Sequence, residues 1–308
     1  MSELTDPRTS CRASAWVRPR RFRSILTAAT MTVLSVLAAS TPGKSQAAQR
    51  TLVIANAFGE HRFTAAELLA RPDAKLLDEA DAAIPGIAGD IYHQKVAYRA
   101  VPVLSLLGSD SSDRFDTVEA RASDGFVSQI PLALITQGEH GGAVAFIAVE
   151  DPAYPWPPLP GKTESAGPFY LIWEHPEKSG VTREQWPYQL VRLSLVESPV
   201  HRWPQLLAPT DLPAGAPAFR GQDLFITQCL PCHRLNGGGA SDTGPDLGRP
   251  MNPTQYLTDP GLRAIIRNPR AVRTWPNQQM IGFGKRILSD ADLDAVVAYL
   301  RAMAPSNQ

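Results

Sequence analysis

The stretch QCLPCHRLNGGG, residues 228–239, places two cysteines directly before a histidine. Cys229, Cys232 and His233 form the pattern C-x-x-C-H, which is typical of covalent c-type haem attachment. In such a site the two thiols add to the haem vinyl groups and the histidine binds the iron. The pattern therefore predicts a domain built around one covalently held haem.

Three other interpretations of this motif compete with the first. A redox-active C-x-x-C pair of the thioredoxin type does not require a histidine after its second cysteine. A structural zinc site needs four ligands, and the sequence has no second C-x-x-C or H-x-x-x-H pair to supply the other two. The last alternative is a plain disulfide in a loop.

The N-terminus has the pattern of a secretory signal peptide. A basic run, RPRRFR at 18–23, precedes a short apolar run at 25–39, and small residues follow it. Cleavage is expected after Ala47 or Ala48, so residues 1–48 are assigned to the signal. The alternative is an uncleaved anchor, but the apolar run is shorter than the roughly 20 residues that span a bilayer.

Cleavage would remove Cys11, which leaves Cys229 and Cys232 as the cysteines of the mature protein. No later stretch is long and apolar enough to cross a membrane. We therefore expect a soluble periplasmic protein without a stable membrane span in the mature chain.

The charge distribution divides the mature sequence in two. Residues 49–216 carry 13 Lys and Arg against 21 Asp and Glu, while residues 217–308 carry 10 against 7, so an acidic part precedes a mildly basic one. A proline-rich stretch with little periodicity separates them and predicts an extended connector. The sequence thus predicts domains at 49–200 and 217–308, joined by a linker at 201–216.

Two amphipathic helices are predicted near the ends of the second domain. The first precedes the cysteines, and the second begins after Ser289, a plausible N-cap residue with Asp292 three positions later. Their apolar residues recur at helical spacing: Phe219, Leu224 and Phe225 in the first helix, and Leu293, Val296, Val297 and Leu300 in the second. Two such helices can cross and close a small haem pocket.

Residues 217–304 resemble class I cytochrome c. The resemblance rests on Gly221 and Phe225 before the cysteines, on the sequence GPDLGR after them, and on Tyr299 in the final helix. It implies an all-α domain with one covalent haem c, whose iron is bound by His233 and by a methionine. It also implies that the Pro245 carbonyl orients the histidine ring, and that the domain transfers single electrons.

Three methionines follow His233, and Met280 is the predicted sixth iron ligand. Met280 lies in an irregular stretch just before the final helix, where class I cytochromes c place this ligand. Met251 lies too few residues after His233 for the chain to pass around the haem to its opposite face. Met303 lies at the end of a helix whose apolar face is used for packing. A methionine that only fills a gap in the core is the alternative role for Met280.

The first domain is predicted to be α+β or mostly β. Apolar segments predict strands at TLVIAN, VAYRAVP, TVEARA, FVSQIPLALI, GAVAFIAVE, PFYLIWEH and YQLVRLSLVE. Turns are predicted at Gly59 and at Asp124-Gly125, a helix after Thr64, and a short helix at the end of VAYRAVPVLSLLG. Most of residues 49–198 resembles the molybdopterin-binding domain of the sulfite oxidase family. In that family a cysteine thiolate binds molybdenum, but this mature chain has no cysteine to spare, so a molybdenum cofactor is not expected.

The favoured function is therefore electron transfer by a carrier or a cytochrome subunit, not catalysis, with the first domain as a docking or scaffolding module. The alternative is an oxidoreductase whose first domain oxidises a small substrate and passes electrons to the haem. The acidic run near Asp78 and the scattered histidines are assigned to the surface. Nucleic-acid binding is not indicated, because neither a phosphate loop nor a basic patch with aromatic residues is present.

The expected partner is a periplasmic redox protein or a dehydrogenase. Four arginines recur before and after a predicted helix end near Pro269: Arg263, Arg267, Arg270 and Arg273. Together with the acidic first domain, they suggest that partner association is steered by charge. The alternative is that these arginines hold the haem propionates or face solvent.

Overall fold

The fold is known from a computed structural model, which describes residues 50–78, 91–92, 96–108, 114–276 and 278–305. All of these residues belong to one compact unit. The predicted signal peptide at 1–48, most of the acidic run near Asp78, and His93 lie outside them. No helix in the described part of the chain is long and apolar enough to cross a membrane.

Residues 50–198 contain two β-sheets, and we call this part the sheet module. Its strands are β1 Leu52–Asn56, β2 Gly59–Phe63, β3 Lys75–Asp78, β4 Ala97–Pro102, β5 Thr117–Ala122, β6 Val127–Pro131, β7 Val144–Val149, β8 Phe169–Glu174 and β9 Leu190–Val196. One sheet has the order β2-β1-β9-β5-β6 and the other β3-β4-β7-β8. Strands β1 and β9 pair in parallel, and the other described pairs are antiparallel.

Strands form where the apolar runs predict them, both inside the sheets and at their edges. Strand β8, with the sequence FYLIWE, is buried over its first five residues, as expected for a strand covered on both faces. Its Trp173 is fully buried, and the indole nitrogen donates to the Gln185 carbonyl at 2.8 Å. Strands β2 and β3 were not predicted, because their sequences GEHRF and KLLD are mostly exposed and contain no long apolar run.

Short helices follow three of the strands: α1 Ala65–Leu69, α2 Val103–Leu107 and α3 Leu132–Thr136. The predicted helix start after Thr64 is confirmed, since Thr64 and Glu67 form a capping box. The strand was predicted to continue to the end of PLALI, which is wrong beyond its proline. Strand β6 ends at Pro131, and helix α3 begins at the next residue. Pro131 is the residue that caps the start of α3, so the chain changes from strand to helix directly after it.

The helical module, residues 217–305, follows the sheet module and a short connecting segment. Its helices are α5 Pro217–Gln228, α6 Pro253–Tyr256, α7 Asp259–Arg267, α8 Pro269–Val272 and α9 Asp290–Ala302, and α4 Pro199–Arg202 precedes them. Ser289 caps α9 as predicted, accepting from the Asp292 amide at 3.1 Å. Helices α5 and α9 pack together, with the Phe225 and Tyr299 ring centroids 5.4 Å apart.

The segment at 201–216 is not the extended connector that its prolines predict. It starts within α4 and continues into a helical turn, Pro204–Leu206. Leu206 is fully buried in the core of the helical module, and its carbonyl accepts from the Tyr299 hydroxyl at 2.5 Å. Pro199 and Pro204 begin the two short helical elements here, since proline is well accepted at a first helical position. The domain boundaries at 200 and 217 stay a prediction.

Candidate haem-attachment site

The two cysteines and the histidine are brought together at the C-terminal end of α5. Cys229 is the residue that caps α5, and its carbonyl accepts from the amides of Cys232 at 3.1 Å and of His233 at 2.9 Å. The chain therefore makes one more tight turn after the helix. This turn presents two thiols and an imidazole within five consecutive residues.

Both thiols are free, with no disulfide between them. Burial, together with the nearby carboxylate of Glu184, raises the pKa of Cys229 and of Cys232 to about 12. A redox-active C-x-x-C pair requires the opposite shift, because its attacking cysteine must be a thiolate near neutral pH. The electrostatics of this site therefore disfavour the thioredoxin-type interpretation.

The histidine ring is oriented by a backbone carbonyl. His233 Nδ1 lies 2.8 Å from the Pro245 carbonyl oxygen, which confirms the predicted contact. Since a carbonyl only accepts, Nδ1 carries the proton and Nε2 is left to bind a metal. Burial lowers the pKa of His233, while the Pro245 bond partly opposes that shift. The ring is therefore held in the neutral, metal-binding form.

Gly244 belongs to the same site, although the sequence did not single it out. Its amide donates to the Cys232 carbonyl at 2.7 Å, which ties the GPDLGR segment to the attachment turn. A Cβ atom at this position would lie 2.6 Å from Cε1 of His233. Glycine is therefore required here by close approach to the imidazole ring.

The donor set fits a c-type haem better than a zinc ion. Within the described residues, no group of three or more His, Cys, Asp or Glu side chains is placed to hold a metal ion. Two thiols and one imidazole on one turn are the groups that covalent haem attachment uses. Cys229 and Cys232 would form the thioethers, and His233 would bind the iron.

The three candidate methionines occupy different environments. Met280 is half-buried in an irregular segment before α9. Met251 is 48% exposed, and Met303 packs against the core of the helical module. The packing of Met303 agrees with the reason for setting it aside, and the role of Met280 as iron ligand stays a prediction.

The sheet module contacts the attachment turn directly. The Val127 amide donates to the carbonyl of Pro231, which lies between the two cysteines, at 2.9 Å. The Ser241 hydroxyl donates to the Gly125 carbonyl, also at 2.9 Å. The Asp124-Gly125 sequence predicted a hairpin turn, but nothing in it indicated that the turn would meet the cysteines.

A second contact joins the sheet module to the segment just after Met280. Arg183 Nη1 donates to the Gly282 carbonyl at 3.2 Å, and the Arg183 guanidinium lies 4.7 Å from the Phe283 ring centroid. The neighbouring Glu184 is 7% exposed, and burial raises its pKa. Sequence reasoning missed both residues, because neither stands in a recognisable motif.

The predicted arginine series divides into two pairs. Arg263 pairs with Asp259 at 2.8 Å and also with Asp294, and Arg267 donates to the carbonyls of Phe283 and Leu288. These two side chains hold the helical module together, so they are not free docking charges. The other two, Arg270 and Arg273, are exposed.

Comparison with known proteins assigns the helical module. No curated protein matches the chain. Residues 218–304 match the protein-family model described as Cytochrome c, and the sheet module lies outside this match. The resemblance of the sheet module to the sulfite oxidase family stays a prediction. The helical module, with its C-x-x-C-H turn and its crossed terminal helices, is a cytochrome c domain, which implies a c-type haem and electron transfer.

Proposed function

We propose that this chain is a periplasmic electron carrier that moves one electron at a time through a single covalent haem. Its sheet module would serve as a docking or scaffolding module derived from a molybdopterin-binding fold. The observation that carries the proposal is the attachment turn, where Cys229, Cys232 and the Pro245-oriented His233 are adjacent. A haem held by histidine and methionine supplies a one-electron centre with little rearrangement on reduction.

Each residue of the site has a separate task in this proposal. The two thiols would hold the haem covalently as thioethers, each S–H adding across one vinyl group. The His233–Pro245 hydrogen bond keeps Nε2 directed away from the carbonyl and keeps the ring neutral. The backbone at Gly244 lies close against the imidazole ring, since a Cβ atom there would lie 2.6 Å from Cε1 of His233.

One observation keeps the alternative function under consideration. The sheet module contacts the attachment turn through Val127 and contacts Ser241, shortly after it, through Gly125, and a substrate-oxidising module would also need to lie close to the haem. The missing cysteine favours the carrier, because a sulfite oxidase-type site binds molybdenum through a thiolate.

Metal analysis of the purified mature protein separates these two functions. We expect one iron per chain, covalently retained after denaturation, and no molybdenum, because the one C-x-x-C-H motif provides one haem site. The measurement is elemental analysis with a haem stain after denaturing electrophoresis. Stoichiometric molybdenum would establish the oxidoreductase instead, and chains without covalent haem would contradict both functions.

Met280→Ala is expected to keep the covalent haem but to lose the sulfur-to-iron absorption band of the oxidised protein. The reduction potential should also fall, because a thioether ligand raises the potential of haem iron. Optical spectra and a redox titration check both effects. Met251→Ala and Met303→Ala are the controls, and loss of the band in either control, with Met280→Ala unchanged, would assign the ligand elsewhere.

The proposed partner is a periplasmic redox protein or a dehydrogenase. The two arginines that remain exposed, Arg270 and Arg273, support an approach steered by charge, and Arg273 lies over Trp275, which is 48% exposed. Steering of this kind weakens as salt screens the charges beyond about 8 Å at physiological ionic strength.

A further inference from the structure

The described part of the segment that carries Met280 forms few backbone hydrogen bonds of its own. Within the described residues of 274–281, the backbone makes one local hydrogen bond, from the Gln278 amide to the Trp275 carbonyl at 3.1 Å. Ile281, directly after the methionine, is 54% exposed. The position of Met280 must therefore be set by the residues where the segment rejoins the packed structure.

The segment rejoins the packed structure at Gly282 and Phe283. The Phe283 amide donates to the Ile266 carbonyl at 2.9 Å, and the Phe283 ring is 8% exposed. A Cβ atom on Gly282 would lie 2.3 Å from the Arg267 carbonyl oxygen, so the backbone at Gly282 packs tightly against the end of α7. Within the cytochrome c domain, however, no described hydrogen bond reaches the Gly282 carbonyl.

Arg183 of the sheet module supplies that hydrogen bond. Its Nη1 donates to the Gly282 carbonyl at 3.2 Å, and the same guanidinium lies 4.7 Å from the Phe283 ring centroid. Its Nε and Nη2 donate to Glu184 Oε1 at 2.9 and 2.7 Å. The Arg183 side chain is 17% exposed, so these contacts are made largely out of water, where a charged hydrogen bond is strong.

The support beneath Arg183 is rigid. Arg183 begins a helical turn, Arg183–Gln185, which is closed by a capping box between Thr182 and Gln185. Backbone carbonyls of the same turn accept from the Ser128 hydroxyl and from the Trp173 indole nitrogen, each at 2.8 Å. Both donors stand on buried strands, so the guanidinium is held against the methionine segment by the sheet.

We propose that Arg183 is a positioning residue for the iron ligand Met280, and that the sheet module thereby completes the methionine side of the haem site. The inference rests on the proposed function, because it requires Met280 to bind the iron. Loss of Arg183 frees the Gly282 carbonyl and uncovers one face of Phe283, so the segment opens more often. Each opening exposes the sixth coordination position of the iron.

Competition by imidazole measures this opening. Imidazole binds the oxidised iron only when the methionine has left, so its apparent affinity rises with the fraction of open molecules. In the full-length holoprotein, we expect Arg183→Ala to bind imidazole at least about tenfold more tightly than the wild type, as expected for loss of one charged hydrogen bond. Arg183→Lys keeps the positive charge but lacks the planar guanidinium group. Its affinity for imidazole should therefore increase by less than that of Arg183→Ala.

Arg192→Ala is the matched control, because Arg192 also forms an ion pair within the sheet module, with Glu60. It should bind imidazole with wild-type affinity. Equal affinities in Arg183→Ala and the wild type, with covalent haem and melting temperature retained, would overturn the inference. If Arg183→Ala does not mature, an unchanged affinity in Arg183→Lys overturns it. A wild-type spectrum without the sulfur-to-iron band would instead overturn the proposed ligand set, and this inference with it.

Discussion

Replacing Gly221 with alanine is expected to lower the free energy of unfolding by about 3 kcal/mol or more, the upper range for overpacking a tight site. Gly221 lies where α5 crosses α9. A Cβ atom at this position would lie 2.0 Å from the Ala295 carbonyl oxygen, 2.6 Å from the Ala295 carbonyl carbon and 2.7 Å from Tyr299 Cβ. The first two of these are backbone atoms inside α9, so the whole helix must move to make room.

The displacement should reach the haem site as well. Tyr299 packs on Phe225 and donates to the Leu206 carbonyl, and Phe225 lies one turn before Cys229. Urea unfolding of the holoprotein, followed by haem absorbance, measures the effect. In α7, Gly261→Ala is the control, because its Cβ would meet only the Thr258 hydroxyl oxygen at 3.1 Å. A loss below about 1 kcal/mol in Gly221→Ala, the low end for overpacking, would contradict the close crossing.

The sequence predicted those features whose causes are local. The attachment motif, the Ser289 cap and the helix start after Thr64 each depend on residues within five positions of one another. Strands such as β8 were predicted because burial of both faces places apolar residues continuously along them. Edge strands β2 and β3 lack that signal, since their side chains largely face solvent.

The contacts between the two modules could not be predicted in this way. Arg183 meets Gly282 across 99 residues of chain, and Arg202 meets Glu119 across 83. A single sequence does not distinguish a charged side chain in solvent from one that is buried against a carbonyl far away along the chain. The connecting segment was misjudged for a related reason: its prolines predict an extended chain, whereas burial of Leu206 and the Tyr299 hydrogen bond depend on the helical module.

Removing the Glu119 carboxylate is the second change for which we expect a large effect. Glu119 lies in the middle of β5, and its side chain is 10% exposed. Its Oε2 accepts from Arg202 Nη1 at 2.7 Å and from Gln129 Nε2 at 3.2 Å. Arg202 ends α4 and lies over the Trp203 ring, 4.2 Å from its centroid. The cluster therefore fixes the start of the connecting segment to the sheet module.

Glu119→Ala would leave Arg202 without its carboxylate partner in a largely buried position. We expect the free energy of unfolding to fall by about 3 kcal/mol, the lower end of the range for breaking a buried pair, because the Arg202 side chain keeps 21% exposure. Urea unfolding near neutral pH measures the loss. Glu60→Ala is the control: it removes a carboxylate that pairs with Arg192 at the surface, where salt and water screen the interaction, so little change is expected.

Glu119→Gln separates the charge of this side chain from its size through the pH dependence of stability. Burial alone would raise the pKa of Glu119, but the hydrogen bond and charge of Arg202, with the Gln129 bond and Arg121, lower it below the ordinary 4.5. A carboxylate whose pKa is lowered on folding stabilises the folded state fully above its unfolded pKa, and this contribution is lost as the pH falls through the folded pKa.

The free energies of unfolding of wild type and Glu119→Gln should therefore differ most near neutral pH. The difference should begin to shrink as the pH falls below about 4.5 and should be small once the wild-type carboxyl is protonated, because both side chains are then neutral and similar in shape. Urea titrations at several pH values between about 7 and about 3 test this expectation. A difference that stays constant over that range would mean that the lost stability comes from hydrogen-bond geometry, and that the Glu119–Arg202 charge pair contributes nothing of its own.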